Sequence, residues 1–332
     1  MPLTLLVPDL LPPADAPPAM RRARLRELER CLVRADARRE PGTGTAWLLR
    51  QWGLGPDAPV AALSIAAEGG PRDGSWLRAD PVHQRVERDA LVLHDASVLD
   101  LTREEVDAAI DALNDFFLAD GLLFAAPALD RWYALVPDGE VPAATPLADA
   151  IGRNPFGMLP AGNGKLKWAS IFSEAQMLLA ALPFNRRRES EGRPQLNGLW
   201  FWGGGSLPPN LPRAFDQVAA ADPLARSLAL ASDCPARPLP AALSDLPASP
   251  ANACLAVLDA LQAPFRRGDA DAWMAAAMQL ERDWFGGLRD SLHRFEHIRL
   301  VLPSARDTAV FDLDRRARWR FFRRPLPLAF HA

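Results

Sequence analysis

Lysine is almost missing from this chain. Of its 38 basic residues only Lys165 and Lys167 are lysine, and the rest are arginine. With the abundant alanine and the 32 prolines, that skew reads as the base composition of a high-GC genome rather than as a phosphate-binding surface. Net charge is small as well, −3 with 24% charged residues, so no global field draws nucleic acid or an anionic membrane to the molecule. Cysteine is scarce: the three, Cys31, Cys234 and Cys254, are odd in number, widely spaced and without a C-x-x-C pair. A disulfide framework and a cysteine zinc site are thereby excluded, and reduced thiols are expected. No apolar run approaches 18 residues, and the opening "MPLTLLVPDLLPP" has no basic region ahead of its apolar stretch and meets Pro8 and Asp9 early. Neither a membrane span nor a signal peptide is expected, which predicts a cytoplasmic protein.

What is present is apolar residues, 49% of 332, enough for one large domain or two smaller ones. "LTLLV" predicts a buried strand, and 19–40 a single amphipathic helix with Leu25, Leu28 and Leu32 on one face. Thr102 with Glu105 three residues on forms a capping-box signature, and Gly121 stops the helix that follows. "LLFAAP" and "RWYALVP" predict two antiparallel strands, and "KWASIFSEAQMLLAAL" a helix ended by Pro183. "RSLALAS", "IRLVLP", "TAVFDL" and "ARWRFF" are expected strands, and 269–295 a long helix interrupted at Gly286 and Gly287. Strands and helices alternate at both ends around a hairpin-like middle, so the pattern predicts an α/β domain with a smaller α+β insertion. A proline-rich stretch, "PARPLPAALSDLPASPANA", is expected to be an exposed loop.

Few constellations carry chemistry. "HRFEH" has the H-x-x-E-H zinc spacing, but no glutamate follows His297 and a strand begins at Ile298, so a helix end is the better reading. "GTGT" and "GGG" lack the Lys-Ser/Thr of a phosphate loop and the spacing of a dinucleotide site. "LRADPVHQRVERD" places Arg78, Asp80 and His83 close together in sequence. A His-Asp pair serves as acid and base in many enzymes, yet no nucleophile is evident nearby, and a salt-bridged turn is expected. Trp200 and Trp202 would share a face on a strand, as an aromatic platform or as core. "RRARWRFFRRP" suits contact with RNA or an acidic partner, and its period of two suits a half-buried strand, the reading adopted.

The stretch "FNRRRESEGRPQLNGLWFWGGGSLPPNLPRAF" resembles the cofactor-independent phosphoglycerate mutases of the archaeal type, in the alkaline phosphatase superfamily. Their N-x-x-x-R-x-x-x-G-x-P-x-x-N-x-x-W-x-W-G-x-G-x-x-P pattern is met, with slightly different spacing, by Asn185, Arg187 or Arg188, Gly192, Pro194, Asn197, Trp200, Trp202, Gly203, Gly205 and Pro208. The resemblance is strong from Trp76 to Phe215 and faint elsewhere. It implies an alkaline-phosphatase-like α/β core sheet flanked by helices, in 1–70 and 205–332, with an inserted α+β domain in 71–204. It also implies Arg78, Asn197, Trp200, Trp202, Gly203 and Gly205 as binding residues.

In that family two divalent metals held by Asp and His, and a serine, carry the phosphoryl group. Here the first aspartate could only be Asp9, followed by Leu10 rather than glycine. Thr43 stands in the serine's place and Gly44 in that of the neighbouring aspartate. Asp259 is the best surviving acid of the central metal motif, with Phe265 near its histidine and Gly268 and Asp269 retained. The later Asp-His pair reads Ser304 and Ala305, and an arginine near Arg324 stands where the last histidine would. The resemblance therefore implies a protein that has lost its metals and its catalysis.

"RADPVH", "AQMLL" and "LWFWGGG" are also similar to bacterial RpfE-type regulatory proteins. The leading expectation is an inactive, mutase-like regulatory protein with no cofactor, whose partner is a protein or a small phosphorylated metabolite. The alternatives are an enzyme with altered chemistry that uses Mn or Zn and Thr43, Asp9, Arg78, Asp80 or His83, and a subunit that binds proteins through its proline-rich loop or C terminus.

Overall fold

A computed structural model describes residues 2–13, 16–87, 90–162, 164–247, 253–304, 307–320 and 322–331. Along the chain the elements begin with β1 (Pro2–Leu6), α1 (Pro18–Arg21), α2 (Arg26–Leu32), β2 (Asp36–Pro41), α3 (Gly44–Gln51) and α4 (Val60–Ala67). Next come β3 (Ser75–Glu87), β4 (Ala90–His94), α5 (Arg103–Phe117), β5 (Leu123–Ala125), β6 (Tyr133–Val136), α6 (Leu147–Ala150), α7 (Trp168–Ala181), α8 (Pro183–Ser190) and β7 (Gly198–Ser206). The last part holds β8 (Gln217–Ala219), α9 (Pro223–Ala231), β9 (Ala236–Arg237), β10 (Cys254–Val257), α10 (Gln262–Arg266), α11 (Ala270–Leu280), β11 (His297–Pro303) and β12 (Asp307–Asp314). Among the described residues no helix is long and apolar enough to cross a membrane.

The chain divides into two compact units, Met1–Leu54 with Asn210–Ala332, and Gly55–Pro209. The first holds a seven-stranded sheet of order β2-β12-β11-β1-β10-β8-β9. β1 is parallel to β10 and β11, β10 is parallel to β8, and β12 lies antiparallel between β11 and β2. β1 is buried along most of its length because it lies at the centre of this sheet; Leu3, Leu5, Leu300, Trp273 and Phe285 share its core. The expected α/β class with a helix-flanked core sheet is the class the structure has.

The second unit holds a five-stranded antiparallel sheet, β4-β3-β6-β5 with β7 on β3. Its core joins Leu77, Phe117, Trp132, Trp168, Trp200 and Phe201. The unit begins at Gly55, earlier than the expected 71, because α4 packs Ala61, Ala62 and Ile65 on Trp76 and Tyr133. That contact requires glycine in β7. Gly203 has φ 62° and Gly205 φ 142°, and a Cβ added at them would lie 3.0 Å from Val60 Cβ and 2.9 Å from Pro59 Cβ. The "GGG" run is thus a packing seam.

The capping box is formed: Glu105 N donates to Thr102 Oγ1 at 3.2 Å and Thr102 N to Glu105 Oε2 at 3.0 Å. Gly121 ends that region at φ 74°. The strands from "LLFAAP" and "RWYALVP" pair antiparallel, and α7 stops before Pro183.

Several expectations are corrected. "RSLALAS" is helix α9, not a strand, because Asp222 caps it by accepting from Ala225 N at 2.8 Å and Pro223 occupies its first turn. The single helix over 19–40 is two short helices and an exposed strand, β2, which is held by pairing with β12. "ARWRFF" begins as a 3-10 turn, Arg315–Trp319, because Asp314 Oδ1 accepts from Arg316 N and Ala317 N; Phe321 lies outside the described residues. The Arg78–Asp80 region is strand β3 rather than a turn. The late helix passes into a π turn at Glu281–Phe285. In the proline-rich stretch Leu243 and Leu246 are buried, so it is not wholly exposed, and 248–252 lie outside the described residues.

Candidate functional site

Two groups of residues carry the sequence candidates, one in each unit. In the second unit, β3 presents Arg78 directly opposite Tyr133 of β6 and Trp202 of β7. The guanidinium lies 5.1 Å from the tyrosine ring centre and 5.6 Å from the indole, so both flanking aromatics face the same cation. Asp80 accepts from Arg78 Nε at 3.0 Å and from Trp202 Nε1 at 2.6 Å. Arg78 and Asp80 are both buried. Burial pushes the Asp80 carboxyl above its usual range, against the opposing pull of Arg78 and the Trp202 N–H. Tyr133 extends the network by donating to Glu68 Oε1 at 3.2 Å, where Arg131 Nε also donates at 2.7 Å. Arg78 Nε, the Trp202 indole N–H and both Asp80 oxygens are thus turned toward one another within the unit.

His83 takes no part in this network. Its Nδ1 lies 2.8 Å from the Gln195 carbonyl and its ring beside that of His94, and burial holds its pKa below the ordinary imidazole value. An acid–base pair of Asp80 and His83 is not assembled.

The remaining motif residues build the unit's frame. Asn185 donates to the Leu179 and Leu196 carbonyls, both at 2.7 Å, and accepts from Leu196 N at 2.9 Å. Arg188, rather than the exposed Arg187, fills the motif's arginine position, fully buried and bound to Glu105 and to the carbonyls of Leu99, Pro194 and Asp100. Asn197 clamps the backbone of Gln84 with bonds of 2.7 and 2.9 Å. Trp200 is core, with its indole N–H on the Thr145 carbonyl at 2.8 Å.

In the first unit the strand directions decide the geometry. β8, β10, β1 and β11 are mutually parallel, and β2 joins them in direction because two antiparallel pairings relate it to β11. The residues that follow these strands therefore gather along one sheet edge: Thr43 after β2, Ser304 after β11, Asp9 after β1, Asp259 after β10 and Asp222 after β8. Ligands of open α/β sheets bind at that carboxyl edge. Asp222 was missed in the sequence, although "DP" ahead of an apolar segment is a helix-start signal.

Each of these groups has local work. The Thr43 hydroxyl caps α3 by accepting from Ala46 N at 3.5 Å. Asp9 turns the chain at φ 57°, and its carbonyl accepts from Trp273 Nε1 at 2.9 Å. Ser304 Oγ donates to Asp307 Oδ1 at 2.9 Å, whereas Ala305 lies outside the described residues. Asp269 caps α11 through Ala272 N at 2.9 Å. Desolvation raises both Asp222 and Asp259, and each further charge matters: Asp259 pushes Asp222 up while Arg266 pulls it down.

A two-metal centre requires several carboxylates and imidazoles converging on each ion. None of the five histidines follows a strand at this edge. His83 and His94 belong to the other unit, His297 opens β11 at the opposite edge with Nε2 3.1 Å from Asp312 Oδ1, His293 lies in a 3-10 turn, and His331 stacks edge-on to Phe311. Among the described residues no group of three or more His, Cys, Asp or Glu could hold a metal ion. Among the described residues this edge carries Asp9, Asp222 and Asp259 with no histidine following its strands.

No family model matches the chain. Over 152 residues it is 27% identical to a probable 2,3-bisphosphoglycerate-independent phosphoglycerate mutase of Geobacter sulfurreducens, a match that takes in 46% of this chain and 38% of that protein. The PH0037 protein of Pyrococcus horikoshii superposes with a TM-score of 0.50 at 14% identity, over 94% of this chain and 87% of that one. A cofactor-independent phosphoglycerate mutase of Thermoplasma acidophilum gives a TM-score of 0.42 at 15% identity, over 94% and 89%. Part of the chain is thus similar in sequence to a probable 2,3-bisphosphoglycerate-independent phosphoglycerate mutase, and its helix-flanked α/β fold is like that of the PH0037 protein.

Proposed function

We propose that this protein is a mutase-like regulatory or binding protein of the RpfE type, working in the bacterial cytoplasm without phosphoryl transfer. Its partner would be another protein or a small phosphorylated metabolite, and it would need no cofactor. The observation that carries this reading is the make-up of the carboxyl edge, where Asp9, Asp222 and Asp259 stand without a histidine and the Thr43 hydroxyl is spent on a helix cap. Phosphoryl transfer asks for concentrated positive charge around the moving group, and the three acids at that edge lack the imidazoles that would help them hold the cations supplying it.

The test is turnover of 3-phosphoglycerate and of p-nitrophenyl phosphate with added Mn or Zn, for the parent protein and for Thr43→Ala. The variant loses only a cap, about 1 kcal/mol, so it stays folded. Equal, background rates in both are expected. Metal-dependent turnover that Thr43→Ala abolishes would overturn the proposal. It would favour the second reading, an enzyme of altered chemistry, for which the Asp222–Asp259 pair of raised carboxyls is the supporting feature.

A further inference from the structure

The first unit also holds a pocket at the other end of its sheet, beside Leu313, whose strand partner Ile298 lies near the start of β11. It encloses about 430 Å³ of free space, its open mouth included. Cys31, Phe285, Leu292, Leu313 and Ala317 form its floor, and all of them are buried. Two features keep the space open. The π turn Glu281–Phe285 puts an extra residue into its helical turn, and Gly286, next to it, places no side chain on the rim.

The rim is cationic. Glu27, Arg30 and Cys31 share one face of α2, Arg34 follows in the turn after it, and Arg289 comes from the facing wall. Of the acids nearby, Glu27 is paired with Arg30, and Glu281 already accepts from Glu27 N at 2.6 Å and Leu28 N at 3.3 Å. Arg34 and Arg289 remain. Among the described residues the half-buried Arg34 side chain has neither a hydrogen-bond nor an ion-pair partner, and Arg289 meets the exposed Asp290 only at 3.8 Å. The Cys31 thiol lies in the field of both guanidiniums: burial pushes it up to about 12 and Glu27 acts in the same direction, while Arg34 and Arg289 pull it down. A half-buried cation is costly unless a negative group answers it. We propose that this pocket binds a small organic carboxylate, its head between Arg34 and Arg289 and its apolar body over Phe285, Leu292 and Leu313. Guanidinium forks match a planar carboxylate with paired bonds, and an apolar floor with a few polar groups at its mouth is the usual make-up of a small-ligand site. The pocket stands at the opposite sheet edge from Asp9, Thr43 and Asp259, so its occupancy does not depend on the presence or absence of catalysis.

Titration calorimetry of the full chain with benzoate tests it, with acetate as the head alone and benzyl alcohol as the body alone. Benzoate is expected to bind at millimolar concentration or below, about tenfold or more tighter than either control, because only it engages rim and floor together. Arg34→Gln with Arg289→Gln should bring benzoate down to the level of benzyl alcohol. Both arginines stand on the rim, so this double variant should keep the parent's circular dichroism and melting temperature. Cys31→Leu, which fills the floor without changing charge, should weaken benzoate about tenfold as well; if it does not fold, the arginine pair decides. A parent that does not bind benzoate, benzoate no tighter than either control, or affinity unchanged by removal of the two arginines would each overturn the proposal.

Discussion

Arg188 and Glu105 hold each other across 83 positions of sequence, Arg188 Nε donating to Glu105 Oε1 at 2.9 Å and its other arm to Oε2 at 2.5 Å. The same carboxylate closes the capping box of α5, so one side chain fixes a helix start and a buried cation together. Burial raises the Glu105 carboxyl, but the bonds from Arg188 and from Thr102 N outweigh it and hold the pKa below the usual glutamate value.

Glu105→Gln keeps the cap and removes the charge. It should cost about 3 kcal/mol, the price of leaving a buried guanidinium uncompensated, as read by urea unfolding. A lowered native pKa means that this stability is present above the ordinary glutamate value and is lost as pH falls through the native one. The variant should therefore show a flatter acid limb than the parent; identical limbs would refute the pairing.

Gly203 and Gly205 test the seam between β7 and α4. Alanine at either forces a left-handed or otherwise strained backbone and drives a methyl into Val60 or Pro59. Each substitution should lower stability by more than about 1 kcal/mol, measured by thermal melting. A melt unchanged in both would mean that α4 does not rest on the strand.

Asp259→Asn should stabilise the protein. Asp222 and Asp259 are raised, so their contribution is fully present below the ordinary aspartate value and is lost as pH rises through the native ones. Removing one charge at pH 7 should lift Tm by roughly 2 °C, and the gain should vanish near about pH 3.5. A lower Tm at pH 7 would contradict this.

Much of the second unit was legible because its signals are local. The Thr102–Glu105 box, Gly121 and the apolar spacing of α5 act within a few residues, and the structure keeps them. The first unit was harder to read. β2, "DARREP", is polar and exposed and becomes a strand only through β12, some 270 residues away. In "RSLALAS" leucine alternates with small residues, which fits a strand as well as a helix, and the Asp222–Pro223 start decides it. The candidate site divides along the same line. Asp9, Thr43 and Asp259 can be named from sequence, but their common edge, and Asp222 beside it, follow from strand directions that no local pattern encodes. Trp200 and Trp202 were readable as a pair, while the separate fates of core indole and arginine partner depend on Tyr133 and Asp80.

The strand order of the first unit has a further consequence. β1 and β2 come from the chain before Gly55–Pro209, and β12, β11, β10, β8 and β9 from the chain after it, yet β2 lies outside β12 and β1 between β11 and β10. The two stretches are interleaved, so neither completes a sheet without the other. A protease that nicks the intervening unit would leave fragments that stay together, and separately expressed halves would reconstitute the core by complementation.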